Sequence, residues 1–532
     1  MRSTFFGFNI ARSGLFASQR ALDITGHNIS NANTPGYTRQ RLNVTSSNPM
    51  TLPGGQGMIG TGVDTHSIQQ MRDQFLDFKY RQENTTSGQW DTRAGSLQQI
   101  EAILNEPSDS GIRQVMDEFY TALQELSKGN NADNLTVRAQ VRQRGIALSN
   151  TLNHMYTQLK DMQKNMDFEV KTTVDQINGY AEQIANLNKQ IFQFELDGSH
   201  ANDLRDQRNL LVDQLSELVD IEVQESTDGK FKIAINGIGL VSHFNHEKLV
   251  TVKRTTEKNY VDNKDLLDVK WENGSSFSCR SGKLKGILDM RDNMNGNEKG
   301  IPYYMDQLNK FTTVFAARFN QQHRLGYGLS GADDGIDFFN YPNGALNDVT
   351  AAVNALGTSD EEKIAKFEAA NSGMTVFKVG TSWYETSIIN ADQINISTAI
   401  ESNLNNIAAA LSNSGGAPPL SGLPGDGSNA LALLDMRHDV GMFTWGSPDD
   451  YFKSLISNLG VDAQEAIRMT DNQQVLLNQI NNSRQSISGV SLDEEMANMV
   501  KFQHSYNASA RMITTIDEML DKIINGMGVV GR

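Results

Sequence analysis

No proline occurs between Pro107 and Pro302, and none follows Pro448. A proline inside a helix removes a backbone hydrogen bond and clashes with the preceding turn. Those two stretches are therefore free to form long helices. Periodicity fills the first of them. From Leu152 the apolar-leaning positions run through Met155, Leu159, Met162, Met166, Val170, Thr173, Ile177, Tyr180, Ile184, Leu187 and Ile191 to Phe194. Steps of three and four alternate, with one extra four from Met166 to Val170, the pattern of a coiled-coil seam with a single stutter. About 45 residues of helix span roughly 70 Å. Such a rod suits a fibrous or modular protein better than a compact enzyme domain.

Beyond Val219 the period shortens to two. Ile221–Glu225 and Lys230–Ile235 alternate around Thr227-Asp-Gly-Lys230, a β-hairpin signal. Strand-like pieces continue at Leu249–Lys253 and Leu267–Trp271. Helix is predicted again over 283–294 and over 302–323, where Pro302 suits a first turn. From about Gly326 to Ser447, Gly, Asn, Ser and Ala rise, and 415–427 reads as a loop. Helical pattern resumes after Pro448.

Both ends of the chain carry heptads. Phe8, Leu15, Leu22 and Ile29 recur every seven residues, with Ala11, Ser18 and Thr25 three positions after the first three. This helix is predicted to stop near Asn31–Gly36, where Pro35-Gly36 forms a turn. Leu492, Met499, Tyr506, Ile513, Leu520 and Met527 keep the same step at the other end. Met496, Gln503, Ala510, Asp517 and Ile524 are expected at its second seam position, Ser491 and Glu494 as a capping box, and Gly526 and Gly528 as the stop. Burying the four large N-terminal side chains gains roughly 6–12 kcal/mol. Ordering some 30 residues costs about 1–2 kcal/mol each. The two ends are therefore expected to be disordered in the monomer and to order against each other and against neighbouring copies.

Composition excludes several functions. The chain has 532 residues, room for more than one domain, with 47 Lys+Arg against 63 Asp+Glu, a formal net charge of −16. An acidic surface argues against nucleic acid and anionic membrane as partners. A single cysteine, Cys279, rules out an internal disulfide and a multi-cysteine zinc site. No apolar run is long enough to span a bilayer. Asn9 and Arg12 interrupt the N-terminal apolar run, so the start reads as an amphipathic helix rather than a cleavable leader.

Asn28-Ile-Ser-Asn-Ala-Asn-Thr-Pro-Gly-Tyr37 resembles the signature of the bacterial flagellar axial proteins, the rod, hook and hook-associated components. Thr38-Arg39-Gln40 is more similar to the hook-associated junction members than to rod or hook proteins. Further matches follow in family order: Gly60–Val63 with Arg72–Leu76, Leu204–Arg208 through Val219, Gly282–Asp292, Phe319–His323 with Gly326–Gly328, and Ser488–Glu495 with Tyr506–Ala508. Little in 329–425 is similar. The resemblance implies a non-enzymatic structural protein, exported without cleavage through the flagellar type III channel and located outside the cell. It implies a ring of copies joining hook to filament, with hook protein and a second junction protein as neighbours. It also implies a cytosolic export chaperone on the C-terminal segment. Hook protein itself is the nearer alternative; an exported cell-wall hydrolase in 329–447 is the more distant one.

Catalytic and cofactor patterns are weak. Gly55–Gly60 fits G-x-G-x-x-G but follows no strand. His243 and His246 lack a third ligand, and Asp333–Asp337 lacks the spacing of a calcium loop. Cys279 reads as a structural thiol. No cofactor, metal or catalytic residue is expected. The expected fold is multi-domain and mainly α, with long helices in a coiled-coil-like bundle and β-containing inserts. The division expected is 1–64 with 488–532 as a terminal inner layer, 65–220 with 281–328 and 448–487 as a helical bundle, 221–280 as a small β insert and 329–447 as an outer α+β insert. The residues expected to matter serve assembly: the heptad positions of both ends and Asn33, Thr34, Pro35, Gly36 and Tyr37.

Overall fold

The computed structural model describes residues 6–52, 57–104, 111–226, 229–294, 298–329, 331, 335–340, 347–357, 359–371, 374–379, 381–415 and 420–526. The chain opens with α1 (Phe6–Ser30), followed by an antiparallel ribbon of β1 (Gln40–Ser46) and β4 (Val63–Gln70) extended by the short pair β2 (Met50–Thr51) and β3 (Met58–Ile59). The helices α2 (Gln74–Leu104), α3 (Ile112–Ser127), α4 (Leu135–Phe194) and α5 (Asn202–Leu218) come next. The predicted hairpin is present as β5 (Glu222–Glu225) and β6 (Phe231–Ile235), with Val223 opposite Ile233. The sheet continues through β7 (Ile238–Ser242) and β8 (Asn245–His246), and β9 (Leu249–Lys253) pairs antiparallel with β10 (Leu267–Trp271). Helices α6 (Lys283–Asp292) and α7 (Ile301–His323) return to the bundle, with Pro302 in the first turn of α7.

The following segment is α+β: β11 (Phe339–Asn340), β12 (Asn347–Asp348), α8 (Thr350–Asn354), α9 (Asp360–Ala370), β13 (Met374–Val379), β14 (Ser382–Ser387), β15 (Asn395–Ile396), α10 (Thr398–Ser402) and α11 (Ser428–Asp435). The chain closes with α12 (Pro448–Ser488) and α13 (Leu492–Gly526). Ser447 caps α12 in a capping box with Asp450, and Pro448 occupies its first turn. The fold is mainly α with β-containing inserts, as expected from the sequence.

The long helix α4 is longer than its pattern. It runs 60 residues, roughly 90 Å, from an Asn134 side chain that accepts a hydrogen bond from the Thr136 amide. In its first four turns the inward positions mix Val141 and Leu148 with Arg138, Gly145 and Ser149, which dilutes the apolar pattern. From Leu152 to Ile177 the expected seam is buried residue for residue. Beyond that Ile184 and Ile191 stay buried as expected, but Ala181, Ala185 and Asn188 are buried beside them, Tyr180 and Leu187 are half-buried, and Phe194 is 64% exposed. A straight helix drifts about 20° per heptad from a 3.5-residue repeat, so the Tyr180 and Leu187 positions give way to Ala181 and Asn188.

One continuous apolar core runs from Ala94 to Ala466 and joins the bundle, the β5–β10 strands and much of 338–443. A second small core (Val353, Phe367, Val376, Trp383) lies apart under α8, α9 and the β13–β14 hairpin. Arg138 ties 404–407 to the start of α4 by donating to the carbonyls of Ala132, Leu404 and Ile407. Burial lowers its pKa to about 10. The fully buried Arg291 donates to Asp167, to Asp292 and to the Leu267 carbonyl, joining β10, α4 and α6. Hydrogen bonds and charge from Arg291 overcome the burial of Asp292 and lower its pKa to about 2.

Glycine sets the closest helix approach. A Cβ on Gly88 of α2 sits 2.4 Å from the Glu217 carbonyl oxygen, against backbone that cannot yield cheaply. Gly88→Ala is expected to destabilise the chain by about 1–3 kcal/mol, several degrees in thermal denaturation. Gly95→Ala on the same helix meets nothing within 4 Å. It is expected to be neutral or to add up to about 1 kcal/mol. Equal melting temperatures for the two variants count against this account.

Candidate assembly site

Helices α1 and α13 pack antiparallel in a fixed register. Gly7 faces Ile516, Gly14 faces Ser509, and the hydroxyls of Ser18 and Ser505 lie 3.1 Å apart. At the far end the Asn28 side chain donates to Glu495 at 3.0 Å. One residue number falls as the other rises, one for one. The α1 face against α13 is thus Gly7, Ala11, Gly14, Ser18, Ala21, Thr25 and Asn28, with steps of four and three. Small side chains let the helix axes approach closely, so the contact runs on fit rather than on large apolar anchors. A Cβ on Gly14 already stands 3.2 Å from the Ser509 hydroxyl.

This geometry corrects part of the heptad reading. Phe8, Leu15, Leu22 and Ile29 are half-buried and flank the contact, whereas Ala11, Ser18 and Thr25 are buried at its centre. On α13 Met499, Tyr506, Ile513 and Leu520 are half-buried, but Leu492 is 47% exposed. The second seam lies one residue earlier than expected, at Glu495, Phe502, Ser509 and Ile516. Met496, Gln503, Asp517 and Ile524 are exposed instead. The error is a choice of phase: Met496 and Ile524 look like core, and Glu495 and Ser509 do not. Met527 and Gly528 lie outside the described residues. Met496, Val500, Met512 and Met519 are exposed apolar side chains spread over both flanks of α13, whereas Ile523 keeps the phase of the Glu495–Ile516 seam.

A polar hub joins this pair to the bundle. The chain leaves α1 through Asn31 and closes a turn in which the Tyr37 amide donates to the Thr34 carbonyl. Pro35 and Gly36, at φ +79°, fill the centre of a type II turn. Asn33, Thr34, Pro35 and Gly36 are exposed and Tyr37 is half-buried. Asn28, 1% exposed, uses every polar position it has. Its amide donates to the Gln40 carbonyl and to Glu495, and its oxygen accepts from the Gln40 amide and the Tyr37 hydroxyl. Because that hydroxyl proton goes to Asn28, His27 Nδ1 is the donor in its 3.0 Å contact with Tyr37. Arg39 donates to Glu494 and Glu495, so Glu494 serves this pair. On the bundle side the Thr38 amide and Gln70 donate to Asp206, each at 2.8 Å. Arg72 bonds Asp77, and Arg484 of α12 reaches Asp77 and Asp213 and stacks 4.4 Å above Tyr80.

Burial raises the Asp206 carboxyl to about 6, against the opposing pull of the Thr38 bonds and of Arg72. Burial, reinforced by Asp203 and Asp206, also raises the Tyr37 hydroxyl well above its ordinary value, so it stays a donor. The sequence reading marked the Asn33–Tyr37 turn but missed the residues that hold it: Asn28, Arg39, Asp206 and Glu495. The available signal was that four separately similar segments, 28–40, 72–76, 204–208 and 488–495, each carry charged or amide side chains. They meet at this hub.

Replacing Pro35-Gly36 by Ala-Ala removes the residue that tolerates a positive φ and brings a Cβ 3.1 Å from Leu210. The expected result is a longer α1 and impaired assembly, with the melting of the bundle little changed. Normal assembly of that variant makes the turn dispensable.

The other sequence candidates gather no site. His243 stacks on Phe244, and no cluster of three or more potential metal ligands occurs among the described residues. Burial raises the Cys279 thiol to about 12, away from nucleophilic use. No described helix is long and apolar enough to cross a membrane.

The two ends match the axial class. Residues 8–38 match the flagellar basal body rod protein family, and 482–526 match the C-terminal family of the basal body rod proteins FlgEFG. Residues 97–339 match the helical domain of the flagellar hook-associated protein FlgK. Flagellar hook-associated protein 1 of Bacillus subtilis is 36% identical over the full length of both chains. That of Escherichia coli is 29% identical over 97% of this chain and 99% of its own. The solved flagellar hook junction protein FlgK of Burkholderia pseudomallei shares the fold, with a TM-score of 0.59, 18% identity and coverage of 77% of this chain and all of its own. The chain belongs to the flagellar hook-associated protein 1 family.

Proposed function

We propose that this chain is a structural, non-enzymatic part of the flagellar axis that joins hook to filament. Its two terminal helices assemble against other copies, against hook protein and against a second junction protein. The observation that carries the reading is the α1–α13 pair. Two helices at opposite ends of the chain hold one register, are bolted to the bundle by the hub, and still leave Met496, Val500, Met512 and Met519 exposed. Covering those side chains with neighbouring subunits removes apolar surface from water and is favourable. In this reading the chain is exported through the type III channel without cleavage, with a cytosolic chaperone covering α13 beforehand. The division into 1–64 with 488–532, the bundle, the 221–280 insert and the 329–447 insert belongs to the same proposal. The terminal layer is the assembly part, and 329–447 lies outermost.

Deletion of the gene followed by electron microscopy tests it. Bare hooks with filament protein shed into the medium are the expected result. Normal filaments on the deletion strain defeat the reading.

A further inference from the structure

Methionine exposure divides the chain in two. In the main core Met116, Met155, Met162, Met166, Met290 and Met305 are buried. Among the described residues every exposed methionine belongs to 1–64 or 488–532: Met50 and Met58 on the β2–β3 pair, and Met496, Met512 and Met519 on α13. The three on α13 are 51%, 56% and 59% exposed. At about 100° per residue, Met512 and Met519 share one flank of the helix, a heptad apart, and Met496 lies on the other. The contact with α1 runs between the flanks through Glu495, Ser509 and Ile516, so the register of the pair does not depend on these methionines.

Exposure decides which sulfurs an oxidant reaches. The thioether lone pair attacks an oxygen of hydrogen peroxide, the O–O bond breaks, the sulfur keeps one oxygen as a sulfoxide and the other leaves as water. The sulfur gives up two electrons and the peroxide takes them. A flexible apolar side chain becomes a polar one. In water the new oxygen is hydrated. Against the apolar surface of a neighbouring subunit it is buried without a donor, which is unfavourable. The half-buried Met71, Met294, Met374, Met469 and Met499 are less open to attack. Cys279 does not compete, because burial holds its thiol protonated.

We propose that Met496, Met512 and Met519 are reversible oxidation sites that gate assembly. A peroxide converts their thioethers to sulfoxides in the free chain, the oxidised chain is excluded from the flagellum, and a copy already in place is shielded because its neighbours cover α13. A methionine sulfoxide reductase returns the thioether and releases the oxygen as water, while the dithiol that supplies the electrons becomes a disulfide. The core of the bundle takes no part, since its methionines are buried. The proposal rests on the assembly reading above and adds a chemical control of the same surface.

The test treats the purified full-length chain and intact flagella with the same limited dose of hydrogen peroxide, and peptide mass spectrometry reads the gain of one oxygen at each methionine. In the free chain Met496, Met512 and Met519 should be oxidised at least tenfold faster than Met155, Met162 and Met166. In flagella the same three should react at least tenfold more slowly than in the free chain. Treated and untreated chains are then added to hooks isolated from the deletion strain. Treatment should cut attachment at least tenfold without moving the melting temperature, and sulfoxide reductases acting on both sulfoxide epimers, with dithiothreitol, should restore it. A chain carrying Met496→Leu, Met512→Leu and Met519→Leu, compared with its own untreated sample, should lose nothing on treatment. Equal oxidation of the three in flagella and in the free chain, full attachment of the oxidised parent, no recovery after reduction, or a parental loss in the leucine chain each overturns the proposal. Failure of the untreated parent to attach defeats the assembly reading instead.

Discussion

Gly14→Leu is expected to abolish incorporation into flagella while leaving the melting of the helical bundle within about 0.5 kcal/mol of the parent. Position 14 faces α13, and even a Cβ there meets the Ser509 hydroxyl at 3.2 Å. A leucine forces the helices apart along their length, because the neighbouring contacts at Gly7, Ala11 and Ser18 depend on the same spacing. Overpacking a fitted contact costs about 1–3 kcal/mol. The α1–α13 pair has little to lose, since most of α13 is exposed on one side. The bundle core starts at Ala94 and shares no residue with the terminal pair, so its unfolding should be unaffected. Region-resolved amide exchange on the isolated chain separates the two. Residues 6–35 and 495–526 should exchange fast even in the parent, faster still in Gly14→Leu, and the bundle equally slowly in both. Gly14→Leu chains found in flagella at parental levels contradict this. So does strong protection of both ends in the isolated parent, since then their order does not wait for neighbours.

The phase of α13 shows what a single sequence makes legible. A repeat of seven identifies a helix with a preferred side, but two adjacent stripes can share the repeat. Met496 and Ile524 are apolar and lie outside, whereas Glu495 is buried because it has two partners, Asn28 and Arg39, drawn from the other end of the chain. Long-range polar pairing of that kind has no local signature. The same holds for α4, where Arg138 is buried because three carbonyls from 132–407 converge on it. Seams built on size and apolarity were legible from Leu152 to Ile177, and so were the 222–235 hairpin and the Ser447–Pro448 helix start, whose causes lie within a few residues of each other. The hub was legible only as scattered similar segments. That those segments meet is a property of the fold, since α2, α5 and α12 must first pack before Asp206, Asp77 and Arg484 reach Thr38 and Tyr80.

Two buried groups titrate in opposite senses, and their separation in the fold makes them distinguishable. His323 donates from Nδ1 to the Ile336 carbonyl at 2.7 Å, and its Nε2 accepts from the Ala408 amide at 2.9 Å. The neutral ring satisfies both, and burial lowers its pKa from 6.5 to about 4. The unfolded chain takes up that proton near pH 6.5 and the folded chain only near 4. The stability His323 confers is therefore complete above 6.5 and is lost as pH falls toward 4, about 3 kcal/mol in all. Asp206 behaves in reverse. Its carboxyl, raised to about 6 by burial, is protonated in the folded chain before the unfolded one. It costs up to about 3 kcal/mol above pH 6, a cost relieved as pH falls from 6 to 4. Amide exchange between pH 6.5 and 4 should show protection around Ala408 weakening while that around Thr38 strengthens, after correction for intrinsic rates. His323→Gln keeps a donor and an acceptor but cannot titrate, so the loss around Ala408 should disappear in that variant while the change around Thr38 persists. If both regions shift together, or if His323→Gln leaves the Ala408 profile unchanged, the two titrations are not the cause.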